Sequence, residues 1–410
     1  MLAFVKNNFR WLLGGFVLTF FSSFGQTYFI AASVGDWQQQ FGLSHGEFGR
    51  LYMLATLASA ATLPFLGRIV DLTTELRVLL LVIPSLAAAA LLAAFATNVL
   101  VLGVAIYLLR LFGQGMMTHT ALTTTGRWFS ASRGRAVSLV VLGHQGGEVT
   151  LLYSFAVLVA AEGYRTGWLT AAVLLILVAL PLACWAYATP RTPVGQADEE
   201  QHDLGVQQRQ WTRKEVLADP LFYLLLTGVL APAFIGTTIF YHQDYLATLF
   251  SWSPAHFPRG IQVMAITTIV CALVSGWLID KLGAYRVLPV FLLPLGLSCI
   301  ALTLGGQGAG LFLVMFLLGI SYGISSTLFG ALWPETYGGE HLGAIRSVTV
   351  SAAVLSTAAG PGLTGTLIDI GIDLPQQMRF LGGYCFIVAV FMLFASRVLA
   401  ARKQAMRSMT

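Results

Sequence analysis

The chain has 410 residues, of which 57% are hydrophobic and only 10% are charged. Soluble domains average about 45–50% apolar and about 25% charged residues, so this composition indicates a chain embedded in lipid. It excludes a disordered, collagen-like or disulfide-rich protein. The four cysteines lie in apolar runs without metal-ligand or C-x-x-C spacing, and we therefore predict no metal, no cofactor and no disulfide.

The first apolar run follows Lys6 and Arg10, and it is followed by Trp37 and three glutamines instead of a small-residue cleavage site. We therefore expect a retained membrane span and not a cleaved signal peptide. A helix needs about 20 mostly apolar residues to cross a bilayer. By this criterion we predict twelve spans, at residues 11–34, 48–70, 77–97, 99–125, 136–161, 165–188, 220–250, 259–281, 286–305, 309–333, 343–370 and 379–402.

The distribution of basic residues predicts the topology. If the N-terminus is cytoplasmic, 18 of the 23 Lys and Arg residues fall inside and four fall outside. The positive-inside rule then places the chain in the cell (inner) membrane as a multi-pass protein with both termini in the cytoplasm. This placement also accounts for the net charge of +5 without a nucleic-acid partner.

The longest polar segment, residues 189–219, separates two groups of six predicted spans. We interpret it as a cytoplasmic linker between a bundle at 1–188 and a bundle at 220–410. Thr212 and Glu215 near its end fit a capping box, which predicts a short helix leading into span seven.

The two groups of spans repeat one another. A loop motif follows spans two and eight with an offset of 209 residues, as Gly67-x-x-x-Asp71...Arg77 and Gly276-x-x-x-Asp280...Arg286. The same offset relates the motifs that precede these spans, Ser44-x-x-x-Phe48-x-Arg50 and Ser253-x-x-x-Phe257-x-Arg259. Matches in one register around equivalent spans predict two six-helix halves of the same topology.

Over its whole length the chain resembles the major facilitator superfamily, through its twelve spans and its repeated loop motif. The resemblance implies an all-α integral membrane fold of two parallel six-helix repeats, and a transporter, not an enzyme, in which one chain suffices. Three segments resemble the monocarboxylate and oxalate–formate porters: Trp128-Phe129...Arg133-Gly134-x-Ala136, Trp211-Thr212...Glu215...Pro220-x-Phe222 and Gly343...Arg346.

Two departures from family patterns bear on the substrate. Drug–proton antiporters carry a Gly-Pro element in span five, where this chain has Gly143-His144-Gln145-Gly146-Gly147-Glu148. Carboxylate porters usually place a basic residue in span eight or eleven, and here both spans lack an internal charge. An anion-binding arginine would therefore have to be Arg110.

The repeated loop motif has two interpretations. As the resemblance implies, Asp71 with Arg77 and Asp280 with Arg286 would act as cytoplasmic gate latches that form and break as the halves move. Alternatively, these charges only set the topology.

Charged residues inside spans are costly and indicate function. Arg110 in span four and Glu148 in span five lie about 16 and 20 Å deep, counted at about 1.5 Å per residue from the outer ends of their spans. We expect these two residues to pair near the midplane, where secondary transporters bind substrate. The pair could instead be a structural staple.

Several polar residues are further candidates for the same site. His144 shares a helix face with Glu148, and Gln114 shares one with Arg110. His144 could also be an ordinary core histidine. The remaining substrate-contact candidates are Gln26, Tyr28, Tyr241, Tyr322 and Trp333, and Asp244 is a second proton-coupling candidate that could equally lie in the outer loop.

These residues predict proton-coupled transport of a small organic anion, with protons and a small-molecule substrate as partners. In the empty site Arg110 would pair with Glu148; an arriving carboxylate would take Arg110, and Glu148 would bind a proton, with His144 as a relay. The alternatives are an exporter of amphipathic or cationic compounds, an intramembrane enzyme, and a sensor that does not transport.

Overall fold

A computed structural model of the protein describes residues 2–129, 133–189, 210–253, 255–304, 309–338 and 342–407. Within these ranges all regular secondary structure is helical. This is the expected result for apolar segments in lipid, where a helix satisfies every backbone polar group within one segment. The chain forms two compact units, Met1–Gly205 and Val206–Thr410.

Each of the twelve predicted segments is helical over most of its length. By length and composition, seven helices of the described chain can cross a membrane, or eight if the bent first pair counts as one span. The number is lower than twelve partly because predicted spans five and six lie in one continuous run, Ala136–Tyr187. That run turns at Gly163, whose φ of 82° suits a residue without a Cβ.

The N-terminal unit contains spans one to six. Its helices are Leu2–Phe21, Ser22–Gly25 (3₁₀), Thr27–Ala31, Val34–Phe41, His45–Leu66, Ile69–Leu72, Glu75–Ala94, Val99–Leu108, Leu109–Met117 (π), Thr118–Trp128, Arg133–Leu174, Leu175–Ala179 (π) and Leu180–Tyr187.

The C-terminal unit contains spans seven to twelve. Its helices are Arg213–Ala218, Pro220–Tyr241, Gln243–Phe250, His256–Leu282, Ala284–Val287, Leu293–Thr303, Ala309–Tyr337, Leu342–Asp369 and Leu374–Arg407.

The predicted entry into span seven is confirmed. The Thr212 hydroxyl accepts from the backbone N–H of Glu215, and the Glu215 carboxylate accepts from that of Thr212, so the capping box is complete. The short helix Arg213–Ala218 follows it, and Asp219 then caps span seven by accepting from the N–H of Leu221. Most of the predicted linker, residues 190–209, lies outside the described residues.

The backbone repeats with the offset found in the sequence. Gly42 ends the helix Val34–Phe41 in the left-handed region, with φ 64°. Ser251, which lies 209 residues later, ends the helix Gln243–Phe250 with φ 55°. Ser251 is the residue other than glycine with a positive φ in the described chain, so it keeps an unfavourable conformation at the position equivalent to a glycine.

Two predicted boundaries are wrong. The predicted span seven extended to residue 250, but its helix ends at Tyr241, and the chain turns at His242 into the separate helix Gln243–Phe250. Predicted span one is not continuous either, because it is interrupted by Ser22–Gly25 and by an extended Gln26. Both interruptions contain polar residues, Ser22, Ser23 and Gln26 in span one and His242 and Gln243 after Tyr241, but a count of apolar residues over about 20 positions does not detect so short a break.

Candidate functional site

Arg110 is buried in the N-terminal unit. It lies in the π-helical part of span four, Leu109–Met117, and its side chain is only 3% exposed. Its Nη1 donates to the carbonyl oxygen of Gly25 and to the hydroxyl of Thr27, both at 3.3 Å. The guanidinium also lies 5.6 Å from the centre of the Tyr52 ring, within the range of a cation–π contact. All of these contacts are with uncharged groups.

The remaining donors of Arg110 are not used. Its Nε is buried without a hydrogen-bond partner, and Nη2 makes no hydrogen bond within the described part of the chain. No carboxylate in that part forms an ion pair with the guanidinium. An unpaired buried charge costs on the order of 3–5 kcal/mol. The site can therefore accept an anion that supplies what the protein does not.

Glu148 lies on span five and is half-buried. Tyr28 on span one, which is 6% exposed, lies within electrostatic range of its carboxylate. One turn earlier, Nδ1 of His144 lies 3.3 Å from Oγ of Ser22. The Ser22 hydroxyl donates its hydrogen to the carbonyl of Thr19 at 2.7 Å, so it is placed to accept from His144. The structure thus places the part of span five that carries His144 and Glu148 against span one.

The predicted pair between Arg110 and Glu148 is not formed. In the described structure Arg110 contacts Gly25, Thr27 and Tyr52, and none of its contacts is with Glu148. Depth in the membrane does not show that span one lies beside Arg110 and supplies its partners Gly25 and Thr27.

Glycines on span five explain why Glu148 lies so close to span one. A Cβ on Gly147 would lie 2.0 Å from Oγ of Ser23 and 2.7 Å from the carbonyl oxygen of Phe20. A Cβ on Gly143 would lie 2.1 Å from Oγ1 of Thr19. This small-x-x-x-small spacing lets two helix backbones approach closely. The approach places the next residue, Glu148, within reach of span one.

The side-chain amides of the two glutamines predicted to contact substrate can bind a ligand. Gln26 and Gln114 are both half-buried, and neither side chain makes a hydrogen bond within the described residues. They lie where span one touches span four, since a Cβ on Gly25 would be 2.7 Å from the backbone nitrogen of Gln114.

Two substrate-contact candidates in the C-terminal unit, Tyr322 and Tyr241, contact other residues of that unit. The Tyr322 hydroxyl donates to the carbonyl of Pro232 at 3.0 Å, and Tyr241 is 1% exposed beside the ring of His242. Asp244 lies beyond the end of span seven, in the first turn of Gln243–Phe250. The positions equivalent to Arg110 and Glu148 are Gly319 and Thr357, so this unit lacks the corresponding charges.

The proposed latches are described only in part. The side chains of Asp71 and Asp280 lie outside the described residues. Arg77 and Arg286 are exposed, and the guanidinium of Arg286 lies 5.5 Å from the centre of the Tyr285 ring.

A sequence profile described as Major Facilitator Superfamily matches residues 15–361 and 261–408. The chain belongs to this superfamily. It is therefore a multi-pass membrane protein of a transporter family, and the resemblance to that family is confirmed.

Two solved transporter structures have a similar fold. A bacterial homologue of the human lysosomal transporter Spinster, in an inward-facing and unoccupied conformation, gives a TM-score of 0.73 at 17% identity and covers 95% of this chain and 97% of its own. The nucleoside transporter NupG gives 0.68 at 15% identity and covers 94% and 98%.

One curated relative within the superfamily is the oxalate:formate antiporter of Oxalobacter formigenes. It is 21% identical over 272 residues, which is 63% of this chain and 62% of that protein. The match agrees with the resemblance to the oxalate–formate porter branch.

Sequence reasoning missed the uncharged partners of Arg110. These are Gly25, Thr27 and Tyr52, whose hydroxyl donates to that of Thr27 at 2.8 Å. A usable signal was present, because Thr27 lies between two residues that the sequence did select, Gln26 and Tyr28.

Proposed function

We propose that the protein is a secondary transporter that moves a small organic anion, of the monocarboxylate class, by alternating access and with proton coupling. The observation that carries the proposal is the burial of Arg110 without an acidic partner. Its Nε and Nη2 groups form one planar edge of the guanidinium, and a carboxylate can accept from both. The similarity to a protein named oxalate:formate antiporter supports an anionic substrate.

Glu148 is the proposed proton carrier. A carboxyl group at this depth can carry a proton through the membrane. One monovalent anion and one proton bound together add no net charge to the site. His144 lies one turn away and can pass the proton on. In this proposal Arg110 does not need to pair with Glu148 in the empty site, because Gly25 and Thr27 accept hydrogen bonds from it.

The test is proton and anion flux in proteoliposomes that contain a pH dye. Formate, lactate and oxalate are added in turn to wild type, Arg110→Gln and Glu148→Gln. We expect an anion-driven proton flux in wild type and no anion transport in Arg110→Gln. In Glu148→Gln we expect anion exchange without proton movement.

Two exposed residues of the same unit provide matched controls. Arg165→Gln and Glu162→Gln remove the same charges from exposed side chains, and both variants should transport like wild type. Undiminished anion transport in Arg110→Gln would overturn the anion site. Unchanged proton coupling in Glu148→Gln would overturn the proton carrier.

One observation favours the alternative, an exporter of amphipathic or cationic compounds. The C-terminal unit holds a mostly apolar cavity of about 220 Å³ between spans seven, eleven and twelve, whose lining includes Leu230, Phe234, Leu381 and Tyr384. A lipophilic cation belongs in the same assay for this reason. Proton flux driven by the cation and by no carboxylate would support the exporter.

The membrane in which the protein lies and the orientation of the chain in that membrane are also part of the proposal. The excess of Lys and Arg on one side supports a cell-membrane protein with both termini in the cytoplasm. A single chain is proposed to be the functional unit, with Asp71, Arg77, Asp280 and Arg286 as its cytoplasmic latches.

A further inference from the structure

The guanidinium of Arg110 is held on one face and at one end. Its central carbon lies over the ring of Tyr52, 5.6 Å from the ring centre. At the other contact, Nη1 donates to the carbonyl oxygen of Gly25 and to the hydroxyl of Thr27, both at 3.3 Å. These contacts leave the edge formed by Nε and Nη2 for the anion.

Tyr52 and Arg110 share the hydroxyl of Thr27. The Tyr52 hydroxyl donates to Oγ1 of Thr27 at 2.8 Å, and Nη1 of Arg110 donates to the same atom. A hydroxyl oxygen has two lone pairs, so these two donors occupy both of them. The Tyr52 side chain is 0% exposed and that of Thr27 is 7% exposed. Tyr52 therefore holds the acceptor of Arg110 in place as well as one face of its guanidinium.

The orientation of the guanidinium matters for binding a carboxylate. Arginine has a long side chain with many rotatable bonds, so the plane of its guanidinium turns unless neighbouring groups hold it. Two parallel hydrogen bonds to a carboxylate form only when the anion lies in that plane. The groups that fix the plane of Arg110 therefore determine whether Nε and Nη2 can both donate to one anion.

The C-terminal unit lacks the tyrosine together with the arginine. At the offset of 209 residues, Gly319 stands at the position of Arg110, and Ile261 stands at the position of Tyr52. Ile261 is 0% exposed, so this is a core position in both units. An aliphatic side chain thus suffices for packing at this point of the repeat. The aromatic ring and the hydroxyl are present in the unit that has a guanidinium to hold.

We propose that Tyr52 is the positioning residue of the anion site. Its ring covers one face of the Arg110 guanidinium and its hydroxyl holds Thr27, so that the edge formed by Nε and Nη2 is presented to a planar carboxylate. Tyr52 acts through Arg110. The proposal rests on the proposed function, because it takes the anion to bind at that edge, and it adds the group that makes the edge selective for a carboxylate.

The experiment measures uptake of labelled formate or oxalate by proteoliposomes that contain wild type or Tyr52→Leu, each with and without Arg110→Lys. We expect Tyr52→Leu alone to raise KM at least about fivefold, since a buried cation–π contact and a hydrogen bond are lost. Its kcat should stay within about twofold of wild type, as expected when binding alone is weakened. In the Arg110→Lys background the same substitution should change KM by less than about twofold, because an ammonium group has no planar edge to orient.

Tyr107→Leu is the matched control. The Tyr107 hydroxyl donates to Thr62 at 3.1 Å, so this variant also removes a bond between a tyrosine and a threonine of neighbouring spans in the same unit. Its KM should equal that of wild type. Tyr52→Phe is the second variant, because it keeps the ring and loses only the bond to Thr27. It should raise KM about two- to threefold, as the loss of one hydrogen bond allows, and it tests the proposal if Tyr52→Leu does not fold.

Two results would overturn the positioning role while the transport function stands. One is an equal rise in KM with and without Arg110→Lys, which would make Tyr52 a structural residue. The other is a wild-type KM in the folded Tyr52 variants. Failure of wild type to transport any carboxylate would instead overturn the proposed function, and the role of Tyr52 with it.

Discussion

Asp219 and Arg402 form a two-pronged ion pair at the start of span seven. Nη1 of Arg402 lies 2.8 Å from Oδ2 of Asp219, and Nη2 lies 3.1 Å from Oδ1. The Asp219 side chain is 4% exposed and that of Arg402 is 37% exposed. Asp219 also accepts from the hydroxyl of Tyr337 at 3.2 Å. The carboxylate therefore ties span seven to the ends of spans ten and twelve.

Removal of this charge should destabilise the C-terminal unit. We expect Asp219→Asn to lower the free energy of unfolding by about 1–2 kcal/mol, because the loss of a charged hydrogen-bond partner is moderated by the partly exposed arginine. Thermal unfolding in detergent measures the change. Arg402→Gln and the double variant complete a double-mutant cycle, and purely additive effects would contradict the coupling.

The same pair should make stability depend on acid pH. Burial raises the pKa of Asp219, but hydrogen bonds from Arg402, Leu221 and Tyr337 and the charge of Arg402 outweigh it, so the pKa lies below its ordinary value. A carboxyl group with a lowered folded pKa stabilises the protein above its unfolded pKa, and this contribution is lost as the pH falls through the folded value. The melting temperature of wild type should thus fall faster than that of Asp219→Asn below about pH 4. Parallel curves would contradict the expectation.

The contact between spans one and five should tolerate no side chain at Gly147. Gly147→Ala places a Cβ against Ser23 and the Phe20 backbone, so we expect a loss of at least about 1–3 kcal/mol of stability from overpacking. Gly146→Ala is the control, because its Cβ would meet a Phe20 ring carbon at 3.2 Å, and a side chain can move aside. Unfolding in detergent compares them, and equal stability of the two variants would contradict the close approach.

Tyr322 is expected to matter for stability more than for substrate binding. Tyr322→Phe removes the hydrogen bond to Pro232 and should cost about 0.5–1.5 kcal/mol. The KM for the anion should stay near the wild-type value. A large rise in KM without a loss of stability would instead make Tyr322 a substrate contact.

Much of the fold could be predicted because its signals are local and repeated. Runs of about 20 apolar residues predict helices irrespective of their neighbours. The offset of 209 residues appears in the sequence motifs and again in the backbone at Gly42 and Ser251. The capping box at Thr212 and Glu215 also depends only on adjacent residues.

The arrangement of the site could not be predicted in the same way. Depth in the membrane places Arg110 and Glu148 at similar levels, but it does not say what lies between or beside them. The break in span one and the π-helical part of span four depend on backbone packing at Gly25 and Gly113, to which apolar composition is insensitive. This backbone packing determines which groups lie next to Arg110.

The geometry of the anion site makes a prediction about lysine. Arg110→Lys keeps the positive charge but loses Nε and the planar edge that can hold both oxygens of a carboxylate. We expect the KM for formate or oxalate to rise at least about tenfold, which corresponds to about 1.4 kcal/mol. Arg127→Lys, in the helix Thr118–Trp128 that continues span four, is the control, because its Nη1 contact at 3.0 Å to the carbonyl of Val70 can also be made by an ammonium group. If Arg110→Lys transported like wild type while Arg110→Gln did not, charge alone would suffice, and the planar edge would have no role in binding.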